Sequence, residues 1–281
     1  MKMIKYNLFS IDLDGTVLSR VFRKISKKNC LAIQNYMNYG GIPILNSGRS
    51  PWTMTKIVNK INRCGNNKIR YIACWNGALI KDLETNLSSI SFLNNEYAWK
   101  ILEIIRQWKK VNVLFYLAKN PTLKHIKIYP KFSIIRLVKF FGKFYSIKKN
   151  DDLTSTKITI YGNKNKIAAI YNKIINANFA KFINVINSNN KVIEIMPLGI
   201  DKGFAIRQIS HKLHIANNKV ATIGDSFNDL AAFKNSAFAI CVKRRKNNQL
   251  SKHASVTLKY KKNIFEDVLN QFILQDARRE E

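Results

Sequence analysis

Asp12 and Asp14 stand one residue apart at the end of the strand-like run Tyr6 to Ile11, and Gly15-Thr16 follow them. In a chain with 48 Lys and Arg against 17 Asp and Glu, two carboxylates this close mark a site rather than background. A second cluster, Gly224-Asp225-Ser226-Phe227-Asn228-Asp229, follows another apolar run, Val220 to Ile223. Two acid-tipped strands suit a divalent cation that works with a carboxylate.

Phosphoryl transfer needs an anionic nucleophile, a proton donor for the leaving group, cations against the phosphoryl oxygens and donors that aim them. Asp12 supplies the nucleophile, forming an aspartyl-phosphate that divides one hard displacement into two easier ones. Asp14, about 7 Å further along an extended backbone, supplies general acid and later base. Gly15 permits the turn after it. Carboxylates facing a phosphate repel it unless a cation intervenes, which makes Mg²⁺ the expected cofactor, with Asp225 as a further ligand beside Asp12. Ser47 and the N–H of Gly48 lie at a strand-to-helix turn and can donate to phosphoryl oxygens. Lys202, at the start of a helix, clamps the charge of nucleophile and phosphate. Asp229 either supports Asp225 and its loop or caps the helix that begins there.

The elements that must position these groups read as a βαβ series. Strand-like runs at Tyr6 to Ile11, Ile42 to Leu45 and Tyr71 to Cys74 alternate with helical patterns over Ser26 to Tyr39 and Pro51 to Arg63. Alternation of this kind predicts a parallel sheet with its chemistry at the carboxyl ends of strands. After Asp82 the pattern changes. Strands at Leu87 to Leu93, Val111 to Ala118, Lys157 to Tyr161, Phe182 to Ile186 and Val192 to Met196 mix with helices over Asn94 to Lys110 and Lys164 to Asn176. The βα rhythm returns after Pro197: a helix from Lys202 to His211, a strand Val220 to Ile223, a helix from Asn228, a strand Ala237 to Val242 and a helix Ile264 to Leu274. The fold class expected is α/β, a Rossmann-like parallel sheet core with helices on both faces over 1–83 and 197–281, and an inserted α+β domain over 84–196. An apolar stripe at Ile134, Leu137, Val138, Phe141 and Tyr145 predicts a helix packed on the insert's sheet.

At 281 residues, 46% of them hydrophobic, the chain can bury a substantial core. The net charge of +31 attracts anions, yet its lysines are spread along the whole chain and travel with abundant Asn and Ile, so no specific nucleic-acid partner is expected. No apolar run reaches transmembrane length, and the stretch behind Met1 carries Asp12 and Asp14, unlike a signal peptide. Cys30, Cys64, Cys74 and Cys241 form no CxxC pair and read as structural thiols. A cytoplasmic location is expected.

Four blocks in order resemble the haloacid dehalogenase superfamily, and within it the Cof-type sugar-phosphate phosphatases: Asp12-Leu13-Asp14-Gly15-Thr16, Asn46-Ser47-Gly48-Arg49, Glu194 through Gly203 and Gly224 through Asp229. The resemblance implies that Asp12 is nucleophile and metal ligand, that Asp14 is acid/base and binds Mg²⁺ through its carbonyl, and that Asp225 completes the metal set. It implies a phosphate-binding group of Leu13, Ser47, Gly48, Lys202 and Asn228. Over half the chain lies between Ser47 and Lys202, which is similar to the type-two cap arrangement, where a lid selects the leaving group. One departure stands out: the basic run Lys243 to Lys246 occupies the place of the family's usual Gly-Asn-Ala turn. The function expected is a Mg²⁺-dependent phosphatase for small phosphorylated metabolites. A phosphomutase on the same fold and a basic RNA-associated protein with vestigial activity are the alternatives.

Overall fold

The computed structural model describes residues 2–19, 23–117, 125–128, 151–243 and 249–276. The stripe from Ile134 to Tyr145 and the basic run beyond Lys243 lie outside them. The strands are β1 (Lys2–Ile4), β2 (Leu8–Ile11), β3 (Ile42–Asn46), β4 (Tyr71–Cys74), β5 (Leu79–Asp82), β6 (Ser88–Ile90), β7 (Asn112–Leu117), β8 (His125–Ile128), β9 (Ser155–Tyr161), β10 (Ile183–Asn189), β11 (Val192–Pro197), β12 (Val220–Gly224), β13 (Phe238–Lys243), β14 (Val256–Lys259) and β15 (Leu274–Asp276). The helices are α1 (Lys27–Asn38), α2 (Pro51–Asn62), α3 (Asn95–Arg106), α4 (Lys164–Ile175), α5 (Lys202–Lys212), α6 (Leu230–Lys234) and α7 (Ile264–Val268). Two compact units result, residues 1–89 with 201–281 and residues 90–200.

The first unit holds an eight-stranded sheet in the order β14-β13-β12-β2-β3-β4-β5-β6. β2 pairs in parallel with both β3 and β12, so consecutive strands leave it in opposite directions. A reversal of strand order opens a crevice beyond the carboxyl ends, and the acid clusters sit at those ends of β2 and β12. The run of apolar residues in β2 is explained by burial on both faces. Phe9 meets the rings of Tyr36 on α1 and Phe265 on α7, while Leu8 clusters with Ala205, Ile206 and Ile209 of α5 and Ala232 of α6. Each such fully buried side chain contributes about 2 kcal/mol.

Beyond β4 the chain reverses through Trp75, Asn76 and Gly77, all with positive φ, and returns antiparallel as β5. Periodicity did not predict β5 or β14, each four residues long, because such edge strands carry little pattern. The helix expected to reach Leu274 is α7, continued by a wider turn to Ile273, after which β15 pairs antiparallel with β1.

The second unit is an antiparallel sheet in the order β10-β11-β9-β7-β8. One face presents Val113, Phe115, Ile158, Ile160, Ile193 and Ile195 to Ile101, Leu102 and Ile105 of α3 and Ile167, Ile170 and Ile174 of α4. The buried side chains Lys157 and Glu194, from neighbouring strands, form an ion pair. α3 ends at Arg106 rather than Lys110, since Trp108 N–H turns back to the Ile105 carbonyl and Lys110 adopts a left-handed φ of 58°.

Candidate active site

Asp12 is the first residue beyond β2, and its N–H donates to the Ile223 carbonyl of β12 at 3.0 Å. That bond stitches together the two strand tips that bear the acids. The backbone does not continue extended, as the spacing predicted. Residues Leu13–Val17 wind into a tight turn, with Gly15 at φ 97° and the Leu18 N–H donating to the Leu13 carbonyl at 3.0 Å. Asp12 therefore stays buried, whereas Asp14 swings out with a half-exposed carboxylate.

Arg49 meets Asp14 there. Its Nε donates to Oδ2 and its Nη2 to Oδ1, both at 2.6 Å, in the planar fork geometry that suits a carboxylate. Sequence reasoning gave Arg49 no role, although it follows Ser47-Gly48 directly. Ser47 is buried and accepts from the Arg49 N–H at 3.3 Å.

Lys202 is fully buried and its Nζ lies 2.6 Å from Asp12 Oδ1 and 2.6 Å from Asp229 Oδ1. Thr16 Oγ1 donates to Asp12 Oδ2 at 2.8 Å. Asp229 Oδ2 accepts the N–H groups of Asp225 and Ser226, each at 3.0 Å. Both Asp229 oxygens are thus engaged, one in aiming Lys202 and the other in shaping the Asp225 turn. Asn46 Nδ2 donates to the Lys202 carbonyl at 2.8 Å and fixes the start of α5, a role that the Asn46-Ser47-Gly48-Arg49 block does not by itself reveal. Leu13 is buried, so only its backbone has donors or acceptors to offer. Asn228 is half-buried, with Oδ1 accepting from Ser226 Oγ at 2.5 Å.

Burial pushes the Asp12 carboxyl up to about 7, against the attraction of Lys202, and the nearby charge of Asp229 adds to the rise. Burial alone would lower Lys202, but Asp12 and Asp229 overcome it and hold the ammonium above its ordinary value. The lysine stays charged.

Asp12, Asp225 and Asp229 each offer a carboxylate oxygen, all within 4.8 Å of one another. Three carboxylates and one ammonium leave a formal charge of −2, which one divalent cation would balance. The donors are all hard oxygens, the set Mg²⁺ prefers. Gly15 adds a shape argument: a Cβ there would collide with the Asp225 carboxylate, so the glycine leaves room for that ligand. The residues present fit a divalent cation, which Asp12 and Asp225 would hold while Asp229 is committed to the surrounding hydrogen bonds.

A family model described as haloacid dehalogenase-like hydrolase matches residues 9–268. The chain belongs to the haloacid dehalogenase-like hydrolases. It is 27% identical over 253 residues to a Mycoplasma genitalium protein named "Putative phosphatase MG125", covering 85% of this chain and 86% of that one. It is 22% identical over 240 residues to the Bacillus subtilis 5-amino-6-(5-phospho-D-ribitylamino)uracil phosphatase YcsE, covering 85% and 84%. A solved structure of a haloacid dehalogenase-like hydrolase from Bacteroides thetaiotaomicron superposes with a TM-score of 0.72 at 24% identity, over 95% of this chain and 100% of that one. Among the described residues no helix is long and apolar enough to cross a membrane.

Proposed function

We propose that this hydrolase is a Mg²⁺-dependent phosphatase of small phosphorylated metabolites, sugar or polyol phosphates foremost. The observation that carries the reading is the Lys202 ammonium held between Asp12 and Asp229, with Asp225 beside them, at the tips of two adjacent parallel strands. The name of the Bacillus subtilis relative, a ribityl-phosphate phosphatase, supports a polyol leaving group.

An Asp12 carboxylate oxygen attacks phosphorus, and the bond from phosphorus to the ester oxygen breaks. Asp14 gives its proton to that departing oxygen. In the second half Asp14 takes a proton from water as the water oxygen attacks phosphorus, the acyl-phosphate bond breaks, and phosphate leaves with Asp12 regenerated. Lys202, Ser47, the N–H groups of Leu13 and Gly48, and Asn228 hold the phosphoryl oxygens throughout. A divalent cation bound by Asp12 and Asp225 supplies charge neutralisation that lets an anionic nucleophile meet an anionic substrate. The second unit selects the leaving group, and the enzyme works in the cytoplasm, a setting consistent with its four free cysteines.

The test is free-phosphate release from a panel of sugar, polyol and nucleotide monophosphates with Mg²⁺. Release should stop on chelation and return when Mg²⁺ is restored. Full turnover by an Asp12→Asn protein would overturn the reading.

A further inference from the structure

Away from the acid-tipped strands, a cavity of about 480 Å³ has Ser26, Lys24, Lys27, Lys28, Lys60 and Lys262 in its lining. Among the described residues, five of the nine that line it are lysine, whereas Lys and Arg together make up 48 of the chain's 281 residues. Among the described residues no carboxylate lines the cavity. Lys28 has a partner, Glu266 at 3.6 Å, but among the described residues no carboxylate pairs with Lys24, Lys27 or Lys262. The five lysines are exposed, so their flexible ammonium groups can turn toward an anion held in the concavity.

The walls are built rather than accidental. Lys60 Nζ donates to the Ile25 carbonyl at 2.5 Å, tying α2 to the segment that leads into α1. The buried Asn29 amide donates to the carbonyls of Val17 and Lys262, each at 3.1 Å, and its Oδ1 accepts from the Phe265 N–H at 3.1 Å. Tyr260 Oη donates to the Leu18 carbonyl at 3.1 Å. Four separate segments are thereby fixed around the space before any ligand arrives, which lowers the ordering cost of binding. The start of α1, capped by Ser26 Oγ, adds the positive end of a helix to the same side.

We propose that this cavity is a second anion site, binding a compact, multiply charged phosphate such as pyrophosphate or the diphosphate group of a small metabolite. Its volume falls within the range of small-molecule sites. A surface that tracks single-stranded nucleic acid would interleave aromatic rings with its cations, and among the described residues no aromatic side chain lines this cavity.

The experiment is calorimetric titration of the full chain with pyrophosphate at fixed ionic strength and with chelator present. Three proteins are compared: wild type, Lys24→Ala/Lys27→Ala/Lys262→Ala, and a control of equal charge change in the second unit, Lys109→Ala/Lys164→Ala/Lys181→Ala. Lys60 and Lys28 are left in place because they hold Ile25 and Glu266. Pyrophosphate affinity should fall at least tenfold in the cavity variant and stay within twofold of wild type in the control, while all three proteins melt alike. Equal losses in the two variants would assign binding to the diffuse field of the protein and overturn the proposal. Undiminished binding in the cavity variant would place the anion elsewhere and overturn it too. A short single-stranded oligonucleotide forms the second arm: if the cavity variant loses affinity for it but not for pyrophosphate, the cavity is a nucleic-acid contact and the proposal fails.

Discussion

The Arg49 guanidinium grips the Asp14 carboxylate through two hydrogen bonds of 2.6 Å, Nε to Oδ2 and Nη2 to Oδ1. Asp14 lies in a turn rather than a strand, so its backbone leaves the carboxylate without a fixed direction, and the arginine fork supplies one. If Asp14 delivers a proton to the leaving oxygen, Arg49 holds its carboxylate in place between proton transfers and so sets where that group stands. Arg49→Ala should lower kcat about 10- to 100-fold, a part of what general acid catalysis contributes. The loss should be smaller for aryl phosphates, whose leaving groups need little protonation, than for alkyl phosphates. Arg49→Lys should rescue poorly, because an ammonium cannot make the paired contact. Steady-state kinetics on both substrate types check this, and an equal loss on both would deny Arg49 the positioning role.

Lys202 is the only cation bonded to Asp12 or Asp229 among the described residues, and all three side chains are buried. Removing the ammonium strands two like charges in a dry environment. Lys202→Met should therefore destabilise the fold by about 3–5 kcal/mol, the usual cost of breaking a buried ion pair from one side. Adding Asp229→Asn should recover part of that loss, since one of the stranded charges disappears. Urea denaturation of the two variants and wild type measures the coupling, and simple additivity would contradict it.

Much of this arrangement was legible beforehand, and the reason differs by element. β2, β3, β4 and β12 are short apolar runs ended by polar residues, and α1, α2 and α4 carry helical periodicity between clear stops, so local chemistry determines them. The approach of Asp12 and Asp225 was legible because neighbouring strand tips in a parallel sheet converge where order reverses, whereas Lys202 was legible only as the first residue of a helix. The Asp14–Arg49 pair was not, because it depends on the chain leaving the strand direction after Asp12 and on a partner 35 residues away. The engagement of both Asp229 oxygens was equally hidden, since it rests on backbone N–H groups that any sequence would supply. β5, β8 and β14 are four-residue strands whose pairing is set by neighbours rather than by pattern.

Asp82, at the end of β5, is buried and accepts from Arg70, from Lys212 at the end of α5, and from the N–H groups of Glu84 and Thr85. Burial pushes its carboxyl up, but the bonds from Lys212 and Arg70 and the two amides overcome this and hold it well below the ordinary range. A carboxylate with a depressed folded value stabilises the protein above the unfolded value near 4, and that stabilisation is lost as pH falls below it. Asp82→Asn should cost about 2 kcal/mol at neutral pH, given that Arg70 and Lys212 are themselves partly exposed. The gap between variant and wild type should narrow steadily below pH 4. Denaturation curves across pH 2 to 7 test both the size and the sign, and a gap that widened in acid would reverse the assignment.

Gly15 combines two constraints, a φ of 97° and a position against the Asp225 carboxylate that leaves no space for a Cβ. Gly15→Ala therefore meets backbone strain and a steric collision at once, and the group that must yield is a proposed ligand of the cation. The damage should fall on the site more than on the fold, because the turn is at the surface of the crevice while the core strands on either side are untouched. Magnesium activation should shift to at least tenfold higher concentration, with kcat at saturating Mg²⁺ reduced by a smaller factor. Gly40, which also has a positive φ but has nothing within reach of an added Cβ, provides the comparison. Gly40→Ala should cost about 1 kcal/mol of stability from backbone strain alone and leave the Mg²⁺ dependence where it was. Activity titrated against Mg²⁺ for both variants separates the two effects, and a similar shift in both would show that strain, not the Asp225 contact, is responsible.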